Sequence, residues 1–420
     1  KDQVPERVST PVRDAAGGLP DPSAALCPRL IPGTLATRLP AATHRRRPPP
    51  ALVGQTTQFP DAADTMTTAS LTPRENLRRL LDGQAGAWLP FSLDIGSQPG
   101  LSGPVMRAFF ERTGGSDAGE HFGADVRCCS VAAVFGGDDP GRFHASLPPG
   151  VTFDEWGNAH WAGGAEGTVD HMLPAAAFAR TVRDLERLPP PLIQPPDLAR
   201  IEAFHAAGYP VFGYAGSIYE WSWWLRGMER FMIDLVTDPA MAEAVIQKIA
   251  AHTARLALAS ARAGIDVLCF YDDAGMQTGM QISPQLWRRF IKPAWQGVLD
   301  CLRAESPEAR FFLHSCGRIT PIVGDLVELG FHILHPIQPE CMDFAGLYRE
   351  LGARTLLAAT VSSQKTFPFG SPEEVRRQVR RLAEIVGPSR RAVLMPSNVI
   401  QPETPWENVV AFAEEARAIR

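Results

Sequence analysis

The sequence predicts a (β/α)₈ barrel that runs from about Met66 to residue 420. Short apolar strands alternate with amphipathic helices through the second half of the chain, as in a parallel sheet that is covered on both faces. Six or more successive strand–helix units favour closure into a barrel over an open, doubly wound sheet. No G-x-G-x-x-G motif follows any strand, which argues against a dinucleotide-binding fold.

Residues 1–65 are predicted to lie outside the barrel. They are rich in Pro, Ala and Arg, include the run HRRRPPP at 44–50, and show no sustained hydrophobic period. Such a composition is typical of a disordered tail, or of upstream sequence translated from a misplaced start, and a functional basic arm is the alternative. Thr72-Pro73 then predicts the start of a helix, because proline is favoured in the first turn.

The first half of the barrel region is predicted to be the less regular half. Strands are expected at 88–95 and 126–135, with a hairpin around 153–161. Helices are expected at 104–113, 175–188 and 198–207.

The second half alternates more clearly. Its predicted strands are 210–214, 267–271, 310–314, 332–335, 355–359 and 392–395. Its predicted helices are 219–236, 241–263, 284–304, 319–329, 344–351, 372–386 and 405–419.

Composition limits the class of protein and its partners. The 420 residues are 45% hydrophobic and 21% charged, which is ordinary globular composition. The net charge of −5 offers no basic field for nucleic acid, and no apolar run approaches the roughly 20 residues that cross a bilayer. No signal-peptide core begins the sequence, which predicts a cytoplasmic protein. The seven scattered cysteines predict reduced thiols, with metal binding or catalysis as their special uses.

Polar side chains follow the predicted strands at their C-terminal ends, which meet at one mouth of a barrel. These segments are Asp94-Ile95-Gly96, Tyr214-Ala215-Gly216, Tyr271-Asp272-Asp273, His314-Ser315-Cys316-Gly317, His335-Pro336-Ile337-Gln338, Thr360-Val361-Ser362 and Pro396-Ser397-Asn398. A purely structural barrel does not need polar groups at all these positions. The sequence therefore predicts an active site at this mouth, centred on the segment 314–317.

His314 and Cys316 are two residues apart, so on an extended strand both side chains point to the same side. Imidazole and thiolate are a natural zinc pair, but a stable site needs three or four protein ligands. The candidates for the remaining ligands are Asn398, Glu340, Cys341 and His335. In the alternative interpretation His314 hydrogen-bonds a ligand and Cys316 only packs.

Asp272 and Asp273 end a predicted strand, so one should face the barrel interior and the other the surrounding helices. An inward carboxylate is a candidate general base, ligand anchor or metal ligand, and the other suits a cap on the following loop. The aromatic residues that open the next helix are expected to form core and pocket wall: Tyr219, Trp221, Trp223 and Trp224. Three further histidines are expected to be satisfied structural residues: His205, His252 and His332.

Several ordered motifs resemble those of the uroporphyrinogen decarboxylase superfamily, and most of all its cobalamin-linked methyltransferases and decarboxylase-like members. The motifs are Asp272-Asp273 with Gln277, Ile282-Ser283-Pro284-Gln285-Leu286-Trp287, Lys292-Pro293, Phe312-Leu313-His314-Ser315-Cys316-Gly317, Ile333-Leu334-His335-Pro336-Ile337-Gln338, and Met395-Pro396-Ser397-Asn398 with the residues that follow to Val409. The resemblance covers roughly Thr72 to residue 420. It implies a (β/α)₈ barrel, in agreement with the alternation of strands and helices.

The resemblance does not extend to porphyrinogen decarboxylation. The decarboxylases bind a polyanionic tetrapyrrole through arginines near the first strand, and here Ser92 to Gly100 holds no arginine. Their aspartate, tyrosine and late histidine would fall near Ser130-Val131, Trp224 and Asn398. A substrate with eight carboxylates would then be left with unpaired charges.

The methyltransferases bind zinc through H-x-C and a distant cysteine near the C-terminus. His314 and Cys316 match the first two ligands, and the third falls at about Asn398, whose amide oxygen is a poor zinc ligand beside thiolate. The resemblance therefore leaves three outcomes open. Zinc is held with a substitute ligand such as Glu340 or Cys341, it is held weakly, or the site is metal-free.

The leading hypothesis is a methyltransferase that moves a methyl group between a small O-, N- or S-methyl compound and a corrinoid on a partner protein. His314 and Cys316, with Cys341 as a further candidate, would hold zinc or the substrate's heteroatom, and Asp273 and Asp94 would position or deprotonate the substrate. The other residues expected to contact the substrate are Tyr214, Tyr271, Asp272, Gln338, Asn398 and Trp224. The alternatives are a metal-free lyase or decarboxylase of a small carboxylate, with Asp273 as its acid/base, and a non-catalytic protein that binds a corrinoid or tetrapyrrole. The resemblance also suggests a homodimer.

Overall fold

A computed structural model describes residues 71–163 and 169–420. Its strands are β1 Arg127–Cys128, β2 Ala133–Val134, β3 Thr152–Phe153, β4 Ala159–Gly163, β5 Val169–Leu173, β6 Leu192–Ile193, β7 Val211–Gly216, β8 Val267–Tyr271, β9 Arg310–His314, β10 Ile333–His335, β11 Leu356–Val361 and β12 Ala392–Pro396. Seven of them form one parallel sheet in the order β1-β7-β8-β9-β10-β11-β12. The order follows the chain, as expected when each strand is joined to the next by a helical crossover.

A short segment around Phe91, which forms an isolated β-bridge within the predicted strand 88–95, takes the place of an eighth strand and closes this sheet into a barrel. On one side it pairs with β12, because the N–H of Ser92 donates to the Leu394 carbonyl at 3.0 Å and Leu394 N–H donates to the Pro90 carbonyl at 2.8 Å. On the other side Asp125 N–H donates to the Phe91 carbonyl at 2.9 Å, just before β1. The predicted (β/α)₈ barrel is confirmed.

The helices are α1 Pro73–Leu81, α2 Gly103–Thr113, α3 Ala118–Phe122, α4 Leu198–Ala206, α5 Tyr219–Arg226, α6 Met228–Thr237, α7 Pro239–Arg262, α8 Pro284–Leu286, α9 Lys292–Glu305, α10 Thr320–Leu329, α11 Phe344–Leu351, α12 Thr366–Phe369, α13 Pro372–Val386 and α14 Trp406–Ala418. The start of α1 is the predicted one. Thr72 and Glu75 cap each other's backbone N–H groups there, and Pro73 occupies the first turn.

Two predicted helices are interrupted. The helix expected at 219–236 is broken between α5 and α6 at Gly227, whose φ of 89° is not helical. The helix expected at 284–304 contains a wide π-helical turn, Trp287–Ile291, in which Lys292 N–H donates to the Trp287 carbonyl. Pro293 follows directly, and a proline there lacks the N–H that a regular α-helix would need.

The helix expected at 175–188 is wrong. That segment forms turns and then a short 3₁₀ helix, Val182–Arg187. Tertiary partners bind its backbone instead: Ala176 N–H donates to the Leu225 carbonyl, and the Arg226 guanidinium donates to the carbonyls of Ala176 and Ala179. Groups bonded in this way are not available for a helix.

Two small antiparallel sheets lie between β1 and β7 in the chain. The hairpin predicted around 153–161 is present as β3 and β4, and β5 adds a third strand to it. The predicted strand 126–135 is divided, because its first part is β1 and its second part, β2, pairs with β6 away from the barrel.

The core has two layers. Inside the barrel lie alternating strand residues such as Phe212, Cys269 and Phe312, and between the sheet and the helices lie others such as Phe270 and Trp295. Residues 1–65, predicted to be an extension, lie outside the described residues, so that prediction and the single domain from Met66 stay predictions. Among the described residues, no helix has both the length and the apolar character to cross a membrane.

Candidate active site

Three rings stand side by side at the C-terminal ends of neighbouring strands. The parallel register pairs Tyr271 of β8 with His314 of β9, and His314 with His335 of β10. Because paired residues on adjacent strands point to the same face, the rings form one row across the barrel interior. The centroid separations are 5.3 Å between Tyr271 and His314 and 4.9 Å between the two histidines.

Hydrogen bonds connect these histidines to the predicted H-x-C motif. Nε2 of His335 lies 2.9 Å from the Pro396 carbonyl oxygen of β12, and Nδ1 of His335 lies 2.9 Å from Nδ1 of His314. The other nitrogen of His314, Nε2, lies 3.2 Å from Sγ of Cys316. His314 is therefore held on one side by a histidine and faces Cys316 on the other.

Asp273 and Asn398 complete the surroundings of Cys316. Oδ1 of Asp273 accepts the Cys316 N–H at 2.7 Å and lies 3.6 Å from Nε2 of His314. Nδ2 of Asn398 donates to the Cys316 sulfur at 3.1 Å, while its Oδ1 accepts the Val399 N–H at 2.6 Å. That N–H fixes the orientation of the amide, since the reversed amide would place two donors against each other.

Burial controls the charge states in this group. Desolvation lowers the pKa of His314 to about 4, so its contact with Asp273 is not an ion pair at neutral pH. Burial, and then the Asp273 carboxylate, raise the pKa of the Cys316 thiol well above its usual value. In the absence of a bound cation the sulfur stays protonated and has Nε2 of His314 as its acceptor.

Glu220 is a half-buried acid that sequence reasoning missed. It is the second residue of α5, and its carboxyl group lies near Asp273. Desolvation, followed by the charges of Asp273 and Asp272, raises the pKa of Glu220 well above its usual value, and burial also raises the pKa of Asp273. Its position in the first helical turn behind a strand end at the barrel mouth was the available signal.

Two glycines bring the loops after β8 and β9 together. Gly317 has φ of 80°, and a Cβ built on it would lie 2.5 Å from the carbonyl carbon of Gly275. Gln338, buried after β10, accepts the Gly317 N–H at 2.8 Å. This bond gives Gln338 a role in positioning the loop, and its predicted contact with the substrate stays a prediction.

Asp272 points away from Asp273, as strand alternation predicts. Its Oδ1 accepts hydrogen bonds from Ser217 Oγ and from the backbone of Ile218 and Glu220, and its Oδ2 accepts Nε1–H of Trp295 at 2.8 Å. These four donors join β8 to α5 and α9. The geometry therefore assigns Asp272 to structural support, which corrects its predicted substrate contact.

The other residues predicted to contact the substrate lie at different distances from the cluster around Cys316. The Tyr271 hydroxyl donates to the Ile95 carbonyl at 2.6 Å and accepts N–H groups of the loop after the first strand. Tyr214 packs against the ring of Tyr271 at 5.6 Å. Trp224 packs on His160 of β4, and Asp94 accepts the Cys128 thiol at 3.4 Å, so the structure does not bring these two into the cluster around Cys316.

Cys341, predicted as a metal ligand, is also outside the cluster. It donates to Oε1 of Gln277 at 3.3 Å, and the other substitute candidate, Glu340, contacts the Ser362 hydroxyl. Within 71–163 and 169–420, the one group of three or more metal-ligating side chains consists of Asp273, His314 and Cys316. Asp273 therefore replaces Cys341 as the third candidate ligand, a choice that strand geometry decides and sequence spacing does not.

The three histidines expected to be satisfied structural residues differ in their hydrogen bonding. His205 binds Asp266 at 2.9 Å, and Nδ1 of His332 accepts the Phe311 N–H at 3.0 Å, as satisfied histidines should. His252 is fully buried beside Trp156 and Trp221, and neither of its ring nitrogens has a hydrogen-bond partner among the described residues. The expectation is wrong for His252.

Comparison with known proteins identifies the family of this chain. A family model described as uroporphyrinogen decarboxylase (URO-D) matches residues 176–419, which is more than half of the chain. The chain belongs to the uroporphyrinogen decarboxylase family. The matched region contains β7 to β12 and every residue of the cluster around Cys316.

Two members of known activity are similar to parts of the chain. A methylcobamide:CoM methyltransferase, MtaA of Methanosarcina barkeri, is 27% identical over 154 residues, 37% of this chain and 42% of that protein. A uroporphyrinogen decarboxylase of Thermus thermophilus is 26% identical over 213 residues, 48% of this chain and 57% of that protein. The chain thus matches about half the length of these relatives.

A solved methyltransferase from Methanosarcina mazei has the same fold. It is 18% identical and superimposes with a TM-score of 0.58 over 83% of this chain and 99% of that one. A similarity at this identity supports the barrel and leaves the reaction to be argued from the site.

The cluster of this family member fits a metal ion. Imidazole nitrogen, thiol sulfur and carboxylate oxygen are zinc ligands, and three protein ligands leave one position open for a reactant. A tetrahedral zinc with bonds of about 2.0–2.3 Å separates its ligand atoms by roughly 3.3–3.8 Å. The observed separations are 3.2 Å from His314 Nε2 to Cys316 Sγ and 3.6 Å from His314 Nε2 to Asp273 Oδ1.

Proposed function

We propose that this family member is a methyltransferase. It would move a methyl group between a small O-, N- or S-methyl compound and a corrinoid carried by a partner protein. The observation that carries the proposal is the cluster of Asp273, His314 and Cys316 at the barrel mouth, a donor set suited to a zinc ion with an open position. The methyltransferase relative matched in sequence supports the same reaction class.

Each side chain of the cluster has a role in this proposal. His314, Cys316 and Asp273 would hold zinc, which when bound supplies a Lewis acid for the heteroatom of the methylated compound. Asn398 donates to the Cys316 sulfur and would stabilise its thiolate form. Glu220, beside Asp273, would hold a proton near the departing heteroatom.

The proposed step balances without an oxidant. The bond between the methyl carbon and its heteroatom would break, and a reduced corrinoid on the partner protein, as the methyl acceptor, would supply the electron pair of the new bond to carbon. The heteroatom keeps the old bonding pair and takes up one proton, for which the Glu220 carboxyl group is the candidate donor.

Metal content and activity test the proposal together. We expect about one zinc per chain in the purified protein, loss of the metal and of methyl transfer in Cys316→Ser, and neither loss in the matched control Cys341→Ser, whose thiol lies outside the cluster. Transfer is followed by the absorbance change of cobalamin with small methylated compounds. Full activity in protein stripped of metal would contradict the zinc assignment, and tight cobalamin binding without turnover would favour a non-catalytic binding protein.

A metal-free lyase or decarboxylase of a small carboxylate is the second candidate. The half-buried pair of Glu220 and Asp273 favours it, because two adjacent carboxyl groups hold a proton more tightly than an isolated one and suit a general acid. The uroporphyrinogen decarboxylase relative supports the same class. Turnover without zinc or corrinoid that is lost in Asp273→Asn would favour this candidate over methyl transfer.

A further inference from the structure

The pair formed by His335 and His314 has a use beyond holding the barrel mouth together. Both side chains are buried, with exposed fractions of 1% for His335 and 5% for His314, and their Nδ1 atoms are 2.9 Å apart. Under His335 the ring of Phe312 stacks at 5.5 Å. Burial therefore disfavours an imidazolium on either ring. The carboxylate beside His314, Oδ1 of Asp273, lies 3.6 Å from Nε2, which is too long for a hydrogen bond, so the pair is electrically neutral.

The Pro396 carbonyl assigns the first proton of the pair. A carbonyl oxygen only accepts, so Nε2 of His335, 2.9 Å away, must carry a hydrogen. The opposite assignment would set two lone pairs against each other in the barrel interior. A neutral His335 with hydrogen on Nε2 has a lone pair on Nδ1.

The second proton follows from the first. Since Nδ1 of His335 is an acceptor, Nδ1 of His314 must be the donor across the 2.9 Å contact. A neutral His314 with hydrogen on Nδ1 then has its lone pair on Nε2. That atom is the one that faces the Cys316 sulfur at 3.2 Å and Asp273 at 3.6 Å.

We infer that His335 is a positioning residue, which fixes His314 in the Nδ1–H tautomer so that the lone pair on Nε2 is presented to Cys316 or to a metal ion beside it. The Pro396 carbonyl sets the direction of the whole chain of bonds. The tautomer is independent of the reaction catalysed, whereas its effect on metal affinity rests on the proposed zinc site. Partners of this kind around a ligating histidine are worth about 10–100-fold in metal affinity.

The tautomer is measured directly in the wild-type chain. Long-range ¹H–¹⁵N correlation of protein labelled on histidine, without metal, distinguishes protonated from unprotonated ring nitrogens, and His314→Gln identifies the His314 signals. We expect hydrogen on Nδ1 and a lone pair on Nε2. Hydrogen on Nε2 of His314 in the wild-type protein would overturn the inference.

Variants of His335 test the consequence. His335→Phe keeps the stacking on Phe312 but removes the acceptor, and we expect its zinc affinity, measured by chelator competition, to fall about 10–100-fold. His335→Asn keeps an acceptor near the Nδ1 position and should retain most of the affinity. The matched control is His332→Asn, at the residue directly before β10, where Nδ1 accepts a backbone N–H.

The outcomes separate the inference from the proposed function. Wild-type affinity in a folded His335→Phe would overturn the positioning role. Wild-type protein without zinc affinity would contradict the zinc assignment, and the tautomer spectrum would still decide the inference. The spectrum also decides it if neither His335 variant folds.

Discussion

At the scale of single residues, two adjacent aspartates have opposite environments. Asp272 is fully buried and accepts four hydrogen bonds from protein donors, whereas Asp273 is 31% exposed at the mouth and lies beside His314 and Cys316. The difference follows from strand alternation, which turns consecutive side chains to opposite faces.

Exchanging each carboxylate for an amide should separate stability from activity. We expect Asp272→Asn to lower the free energy of unfolding by about 2–3 kcal/mol, because the new NH₂ group faces donors such as Trp295 Nε1–H. Asp273→Asn should leave thermal unfolding nearly unchanged and lower zinc affinity and turnover at least about tenfold. Denaturant unfolding and chelator competition on both variants check this, and equal stability losses in the two would contradict it.

The resemblance stated from the sequence implies a cysteine metal ligand at about the position of Asn398. Here its NH₂ group faces the Cys316 sulfur, and its oxygen is taken by Val399 N–H. We expect Asn398→Cys to raise zinc affinity at least about tenfold, since thiolate is a far better zinc ligand than an amide. Competition with a chelator measures the change, and an unchanged affinity would show that zinc does not bind next to Cys316.

At the scale of elements, the site depends on the contact between the loops that follow β8 and β9. Gly275 and Gly317 bring the two backbones together, and Gly317 also requires a positive φ. The loop with Cys316 is thereby fixed against the loop after Asp273 by close contact of the two backbones.

Adding one methyl group to this contact should damage the site. We expect Gly317→Ala to lower the free energy of unfolding by roughly 2–4 kcal/mol, from the φ of 80° and the overlap with Gly275, and to abolish zinc binding. Gly324→Ala is the control: in α10, with open space around its Cβ, it should stabilise by about 0.5–1 kcal/mol. Equal unfolding midpoints for the two variants would refute the tight contact.

At the scale of the whole molecule, one carboxylate binds the segments that meet where the barrel closes. Asp125 lies before β1 and accepts Trp88 Nε1–H at 2.9 Å and the Phe91 N–H at 2.9 Å from the first strand. The guanidinium of Arg420, the last residue, donates to it at 2.7 Å. The first and last parts of the described chain therefore meet at one buried group.

Buried neutral histidines make the stability of the fold sensitive to acid. Desolvation lowers the pKa of His252 to about 3, and it lowers the pKa of His332 to about 4. In the unfolded chain these groups bind protons below about pH 6.5. Because the unfolded state then binds more protons, their contribution to stability is complete above pH 6.5 and decreases as the pH falls towards the folded pKa.

Replacing His252 by phenylalanine should remove the contribution of this histidine to the pH dependence of stability. As the pH falls from 7.5 to 5, we expect the free energy of unfolding of His252→Phe to rise by about 2 kcal/mol relative to that of the wild type. The relative change is about 1.4 kcal/mol per pH unit below pH 6.5. Denaturant unfolding of both proteins at the two pH values gives the difference. A difference that does not change with pH would mean that His252 binds protons equally in the folded and unfolded states, which would contradict its lowered pKa.

The alternation of apolar strands and amphipathic helices was sufficient to predict the barrel and the position of its mouth. Strands β8 and β9 have the predicted bounds, because a continuous apolar run flanked by polar residues identifies a strand without information from distant parts of the chain. The pairing of His314 with Cys316 on one side also followed from the two-residue period of a strand. The sequence predicted less well where distant groups bind the backbone, as at Ala176, or where a single Gly227 interrupts a helical pattern.

Partners that depend on strand register and loop contact were decided by the tertiary structure alone. It replaced Cys341 by Asp273 in the ligand group, placed Glu220 beside that aspartate, and set His335 behind His314. The physical reason is that sequence periods fix which face of one element a residue occupies. Which residues of different elements meet depends on how eight strands close into a barrel.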